Sequence, residues 1–116
     1  MDIFISLVIL ILLIIIFFGI LLRREKQFRG QRTLLQAADI LEHDGWIQHN
    51  FHDEWGRHCA AGAIGRVIDG DHSKAIYLLT DQLEEEGQDP NIISWNDSDG
   101  QTAHNVIQTM RKAARR

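Results

Sequence analysis

Among 116 residues this chain has a single cysteine, Cys59, and a single proline, Pro90. A lone thiol supplies no disulfide framework and fits a reducing compartment. No Gly-rich phosphate loop, nucleophile elbow or His-Glu zinc helix occurs, so the common motif-borne chemistries are missing. Internal repeats and low-complexity tracts are also missing. Basic residues are scarce through the middle: Thr33 to Met110 holds three (Arg57, Arg66, Lys74) against fourteen acidic ones, a net of −11. Affinity for nucleic acid comes mainly from Lys and Arg meeting phosphates, so an acidic body of this kind argues against that partner.

The most informative absence is of charge between Ile3 and Leu22, "IFISLVILILLIIIFFGILL", where only Ser6 and Gly19 depart from Ile, Leu, Val and Phe. Twenty helical residues rise about 30 Å, the hydrocarbon thickness of a bilayer. With only Asp2 before the run and Arg23-Arg24 after it, the segment lacks the basic start and small-residue cleavage site of a secretory signal, so it is expected to stay attached. It holds no ionisable residue of the kind that marks an ion path, and no small-xxx-small face, so its expected role is to anchor. Arg23, Arg24, Lys26, Arg29 and Arg32 follow it against one acid, Glu25. The positive-inside bias then puts the amino terminus outside and the rest in the cytoplasm, in a single-pass protein of the inner or plasma membrane. The same five cations are the candidate contacts to anionic head groups. Three zones result: an anchor over 1–22, a basic juxtamembrane linker over 23–32, and a small cytoplasmic domain over 33–116.

Within that domain, "TLLQAADILEHDG" sets Leu34, Ala38 and Leu41 on one helical face, with Thr33 as N-cap and Gly45 as stop. "WIQHNFHDEWGRH" predicts two short extended pieces around a turn. After Cys59, Ala60, Ala63, Ile64 and Val67 share a helical face built of small residues. "SKAIYLLTDQLEEEG" aligns Ile76, Leu79 and Leu83 behind a cap at Asp71 or Ser73. Asp89-Pro90 breaks the chain, "NIISW" reads as extended, and Thr102 caps a last helix whose face holds Ala103, Val106, Ile107, Met110 and Ala114. The fold class is mainly α: one transmembrane helix, then a compact domain of about four helices with one or two short strand pieces. A core that small depends on its largest side chains, so Trp46, Trp55 and Trp95 are expected inside it.

Four segments, "AADILEHDGWIQ", "DEWGRHCAAGAIGRV", "IISWND" and "GQTAHNVIQTMRKAA", resemble the small bacterial and bacteriophage family known as domain of unknown function six-one-nine-seven. Its members look like "AADLLE..GW.Q", a "G..C..GA" helix start, "WND" and a threonine-capped final helix. The resemblance covers about Leu34 to Ala114. Ile47 stands where a cysteine is common, which removes a partner for Cys59, and Asn105 stands where a glutamate is common, which replaces the acid of a capping box. The resemblance implies no activity, and a membrane anchor is not a general feature of the family. It does make a bacteriophage connection natural.

Cys59 is the sharpest chemical candidate, because a thiol at a helix N-terminus feels the positive end of the dipole. His58 and His104 are candidate bases beside it, with His49 and His52 nearby in sequence. The opposing reading buries Cys59 as a small apolar residue. His49, His52, His58 and Cys59 also supply candidate metal ligands within eleven residues, although adjacent His58 and Cys59 rarely reach one tetrahedral ion. "DSDG", Asp97 to Gly100, lacks the terminal glutamate of a calcium loop and reads as a turn. "EEE", Glu84 to Glu86, reads as a solvated helix end. No cofactor is expected. The composition points to a membrane-tethered interaction or regulatory module with the lipid bilayer and a protein as partners. The alternative is a small thiol enzyme or redox sensor using Cys59 with a histidine. A holin-like lysis protein would share the short single-span layout, but the patterned domain fits it poorly.

Overall fold

A computed structural model describes residues 2–116, apart from the side chain of Lys26. Among the described residues there are five α-helices: α1 (Asp2–Asp44), α2 (Ala60–Arg66), α3 (His72–Glu85), α4 (Ile92–Asn96) and α5 (Ala103–Ala113). α1 has 43 residues, enough for about 65 Å, and the longest dimension of the molecule is 69 Å. The apolar run, the basic segment and the first domain helix are therefore one unbroken rod. The run from Ile3 to Leu22 is long and apolar enough to cross a bilayer, and no other part of the protein covers it.

The expected boundary at Thr33 is not a helix start. Gly30, Thr33, Leu34, Ala37, Ala38 and Leu41 are all buried, a stripe at helical spacing that begins inside the supposed linker. Because the helix arrives uninterrupted, Thr33 has no free N–H groups to cap. Its hydroxyl donates to the Arg29 carbonyl (2.7 Å) and accepts the Asp71 N–H (2.9 Å), tying the turn before α3 to α1. That back-bonding to residue i−4 is the usual alternative open to a mid-helix threonine.

Around this stripe α2, α3 and α5 pack to form one core. Ala60, Ala63 and Ile64 come from α2, Ala75, Leu78, Leu79 and Leu83 from α3, and Val106, Ile107, Met110 and Ala113 from α5. On α3 the buried face is rotated from the expected one: Ile76 is exposed, and Leu78 takes its place. Asp71 caps α3 by accepting from Lys74 N (3.1 Å), and Thr102 caps α5 by accepting from Asn105 N (3.1 Å).

The expected strand pieces do not form. Among the described residues there are only isolated bridges, Trp46 with His58 and His52 with His58, because Gly45, His49 and Gly56 all take positive φ and turn the chain out of extension. "NIISW" is also helical rather than extended. Asn91 follows Pro90 and accepts from Ser94 N (3.0 Å), which nucleates α4. Trp95 is buried and Trp46 partly so, as expected, but Trp55 is 73% exposed. It sits on the tight 53–57 turn, with Asp53 accepting from Trp55 N and Arg57 N, and its ring lies under the Arg57 guanidinium at 5.5 Å.

Candidate functional site

Three of the four segments that carry the family resemblance meet at Asn96. This residue is fully buried, and a buried amide must have its donors and acceptor matched to avoid a large desolvation cost. Its carbonyl oxygen accepts the Trp46 indole N–H (2.7 Å) and the Ala60 backbone N–H (2.9 Å). Its amide donates to the Ile47 carbonyl (3.1 Å) and to Asp97 Oδ1 (2.9 Å). One side chain thus ties the end of α1, the start of α2 and the end of α4. No buried side-chain nitrogen or oxygen among the described residues lacks a partner.

Asp97 continues the network by accepting the His49 backbone N–H (2.9 Å), with the His49 ring 3.9 Å from its other oxygen. Burial pushes the Asp97 carboxyl up, but the His49 N–H, the Asn96 amide and the His49 ring outweigh it and hold the group below the usual carboxylate range. Asn105, the departure from the family pattern on α5, donates to Gln101 Oε1 (2.6 Å), and that same oxygen accepts Thr102 N (3.2 Å). Gln101 thereby does from outside the helix what the capping-box glutamate does from within.

Two hollows flank this hub. A cavity of about 280 Å³ is lined by His49, Asn50, Phe51, Cys59, Ile93 and Asp97. An open groove of about 860 Å³ lies nearby, with His43, His52, His58, Phe51 and Trp55 among its walls. Cys59 is 4% exposed, and its Sγ accepts the Gly62 N–H at 3.3 Å as the N-cap of α2. The backbone at Cys59 is extended (φ −81°, ψ 174°), and successive side chains of extended chain point to opposite sides. His58 therefore faces the groove while Cys59 faces the cavity. His104 is exposed on the first turn of α5 and lines neither hollow. The residue the fold does bring to the wall beside Cys59 is His49, held by Asp97.

The metal candidates separate in the same way: His52 and His58 line the groove, His49 and Cys59 the cavity. Among the described residues no three His, Cys, Asp or Glu side chains gather as a metal would require. Of the membrane-surface candidates, Arg23, Arg24, Arg29 and Arg32 are exposed along α1, whereas the side chain of Lys26 lies outside the described residues. Sequence reasoning did not single out Asn96. Its signals were an amide ending a short apolar run and its place in the "WND" motif of the resemblance.

With Cys59 buried and its sulfur used as a cap, a thiol-specific reagent is expected to label the native chain at least tenfold more slowly than the denatured one. Time-resolved mass spectrometry with and without denaturant measures the ratio. Equal rates would return Cys59 to the list of reactive thiols.

A family model described as "Family of unknown function (DUF6197)" matches residues 28–116. The match starts just before Gly30, the first buried position of the domain, and leaves the apolar run outside. No curated protein and no solved structure matches the chain.

Proposed function

The chain belongs to the DUF6197 family of unknown function, and we propose that it is a single-pass membrane protein whose DUF6197 domain acts as an interaction module on the cytoplasmic face. The observation that carries this reading is the state of the apolar run. Every large apolar side chain from Ile3 to Leu22 is open to the surroundings, a continuous apolar surface larger than the patch of a few hundred Å² that a soluble monomer presents. A bilayer is the environment that accepts such a helix.

The cytoplasmic orientation rests on the cations after Leu22. A binding role, in preference to catalysis, rests on the use made of the polar groups. Asn96, Asp97 and Thr33 are engaged in holding elements together and the Cys59 sulfur in capping its own helix, whereas Trp55 and Phe51 stand exposed beside the groove. Tryptophan is among the residues that most often anchor protein interfaces. A regulatory role and a bacteriophage setting belong to the same proposal and rest on the family resemblance and the layout of the chain.

The full chain is expected to stay with membranes through alkaline carbonate extraction, and a reporter fused after Arg116 to be active in the cytoplasm. Release by carbonate would sink the anchor; activity only outside the cytoplasm would invert the orientation.

A further inference from the structure

The end of the domain nearest the apolar run gathers features that a water-facing surface does not need. α2 and α5 both run towards it. α2 delivers the Val67–Asp71 turn to Thr33, and α5 delivers Arg116, whose carbonyl accepts from Gln27 and Gln31 (3.2 and 2.7 Å). α3 crosses α1 at Gly30, where a Cβ would lie 2.8 Å from Lys74 Cβ and 3.3 Å from Leu78 Cδ1. At the tip of the turn Ile68 is 86% exposed, and on α3 Tyr77 is 59% exposed, with Lys74 Nζ 4.7 Å above its ring. Phe28 is exposed on α1, with the Arg32 guanidinium 5.9 Å from its ring.

Distance along the helix decides what this end meets. Gly30 is eight residues past Leu22, about 12 Å in an unbroken helix, and α3 has a half-width of about 5–6 Å. The near edge of α3 therefore lies roughly 6 Å beyond the hydrocarbon, while the headgroup layer of one leaflet is about 5–7 Å deep. Resting on the anchor reading above, we infer that the Val67–Asp71 turn and the Lys74–Tyr77 edge of α3 dock into the headgroup layer of an anionic bilayer, fixing the domain in one orientation.

The chemistry agrees with the position. Tyrosine, tryptophan and long cationic side chains are favoured at this depth because they carry an apolar body and a polar tip. Arg29, Arg32 and Lys74, with Arg23 and Arg24 about a turn nearer the bilayer, supply positive charge at this end, against Glu25, Asp69 and Asp71. On α3, Asp81 and Glu85 share the single Arg116 guanidinium, which offsets one of their two charges. Docking this end points the opposite one, with Trp55, Phe51 and the groove, away from the membrane towards a protein partner.

The test uses the full chain in vesicles of three parts phosphatidylcholine to one part phosphatidylglycerol. Single variants Leu12→Cys, Ile68→Cys and Asp99→Cys carry an environment-sensitive fluorophore, with the unsubstituted chain as the blank for Cys59. The label at 12 should be quenched by spin-labelled acyl chains, and that at 68 by spin-labelled head groups, at least threefold more strongly than the label at 99. In phosphatidylcholine alone, headgroup quenching at 68 should fall at least twofold. If 12 is in hydrocarbon while 68 is as water-exposed as 99, the docking is overturned and the anchor stands. A label at 12 that remains in water overturns both. Equal quenching at 68 in the two lipid mixtures overturns the anionic assignment.

Discussion

Replacing Asn96 by alanine is expected to destabilise the domain by about 3–5 kcal/mol, a loss large enough to threaten folding of a domain this small. Three groups lose their partner at once: the buried Ala60 N–H and the half-buried Trp46 indole N–H and Ile47 carbonyl. Each buried group left unsatisfied costs about 1–3 kcal/mol, and relaxation or an entering water recovers part of the sum. Chemical denaturation of the full chain in detergent micelles, followed by circular dichroism, measures the change. A loss below about 1 kcal/mol would mean that the network is not what joins α1, α2 and α4. Asn96→Asp adds a pH signature. It keeps the acceptor but places an acid, buried, against Asp97 Oδ1, so its folded-state pKa must rise above the usual carboxylate range. The penalty relative to the parent is therefore absent below the ordinary carboxylate pKa, grows as pH rises from there to the raised value, and stays at its full size above it.

Gly62→Ala is the second large effect, a loss of about 3 kcal/mol. A Cβ at this position would overlap the Phe51 carbonyl oxygen and lie 3.0 Å from the Phe51 carbonyl carbon. The obstacle is backbone, and that same oxygen accepts the Cys59 N–H (3.2 Å), so relief requires moving the 46–59 loop that carries His49 and Trp55. Gly65, one turn later on the same helix, has nothing within 4 Å of its Cβ position. Gly65→Ala should therefore stabilise the protein by about 0.5–1 kcal/mol through helix propensity and chain entropy. Opposite signs for two Gly→Ala changes three residues apart, read as shifts of the unfolding midpoint, would separate contact from propensity. A matching sign would show that the loop does not press on α2.

The 46–59 loop is also where sequence reading loses most. Its mixture of aromatic and polar residues suggests extended pieces, yet Gly45, His49 and Gly56 at positive φ turn the chain out of extension, and Trp55 goes outward because the Asp53 carboxylate closes a turn beneath it. The four helices that follow local patterns were legible: Leu34, Ala38 and Leu41, Ala60 to Val67, Leu79 and Leu83, and Val106 to Ala114 all end in one core. Thr33 was misread as a cap because its side-chain type cannot reveal that helix already precedes it. Burial of Cys59 follows from its small-residue helix, but its use as a sulfur cap depends on the backbone angles the fold imposes there.

The sequence by itself determined the apolar span, the helical periodicities, the cap at Thr102 and the segregation of charge, because each is a property of neighbours within a turn or two. Tertiary structure alone decided which distant groups meet. It folded the basic tail back onto the basic segment after the anchor, Arg116 against Gln27 and Gln31, while spending Arg111, Lys112 and Arg116 on acids of α1 and α3. It also gathered Trp46, Ala60 and Asp97 around one asparagine. Hydrogen bonds across 36 and 50 residues have no local signature, because the entropy of closing such loops is offset only when the whole core forms.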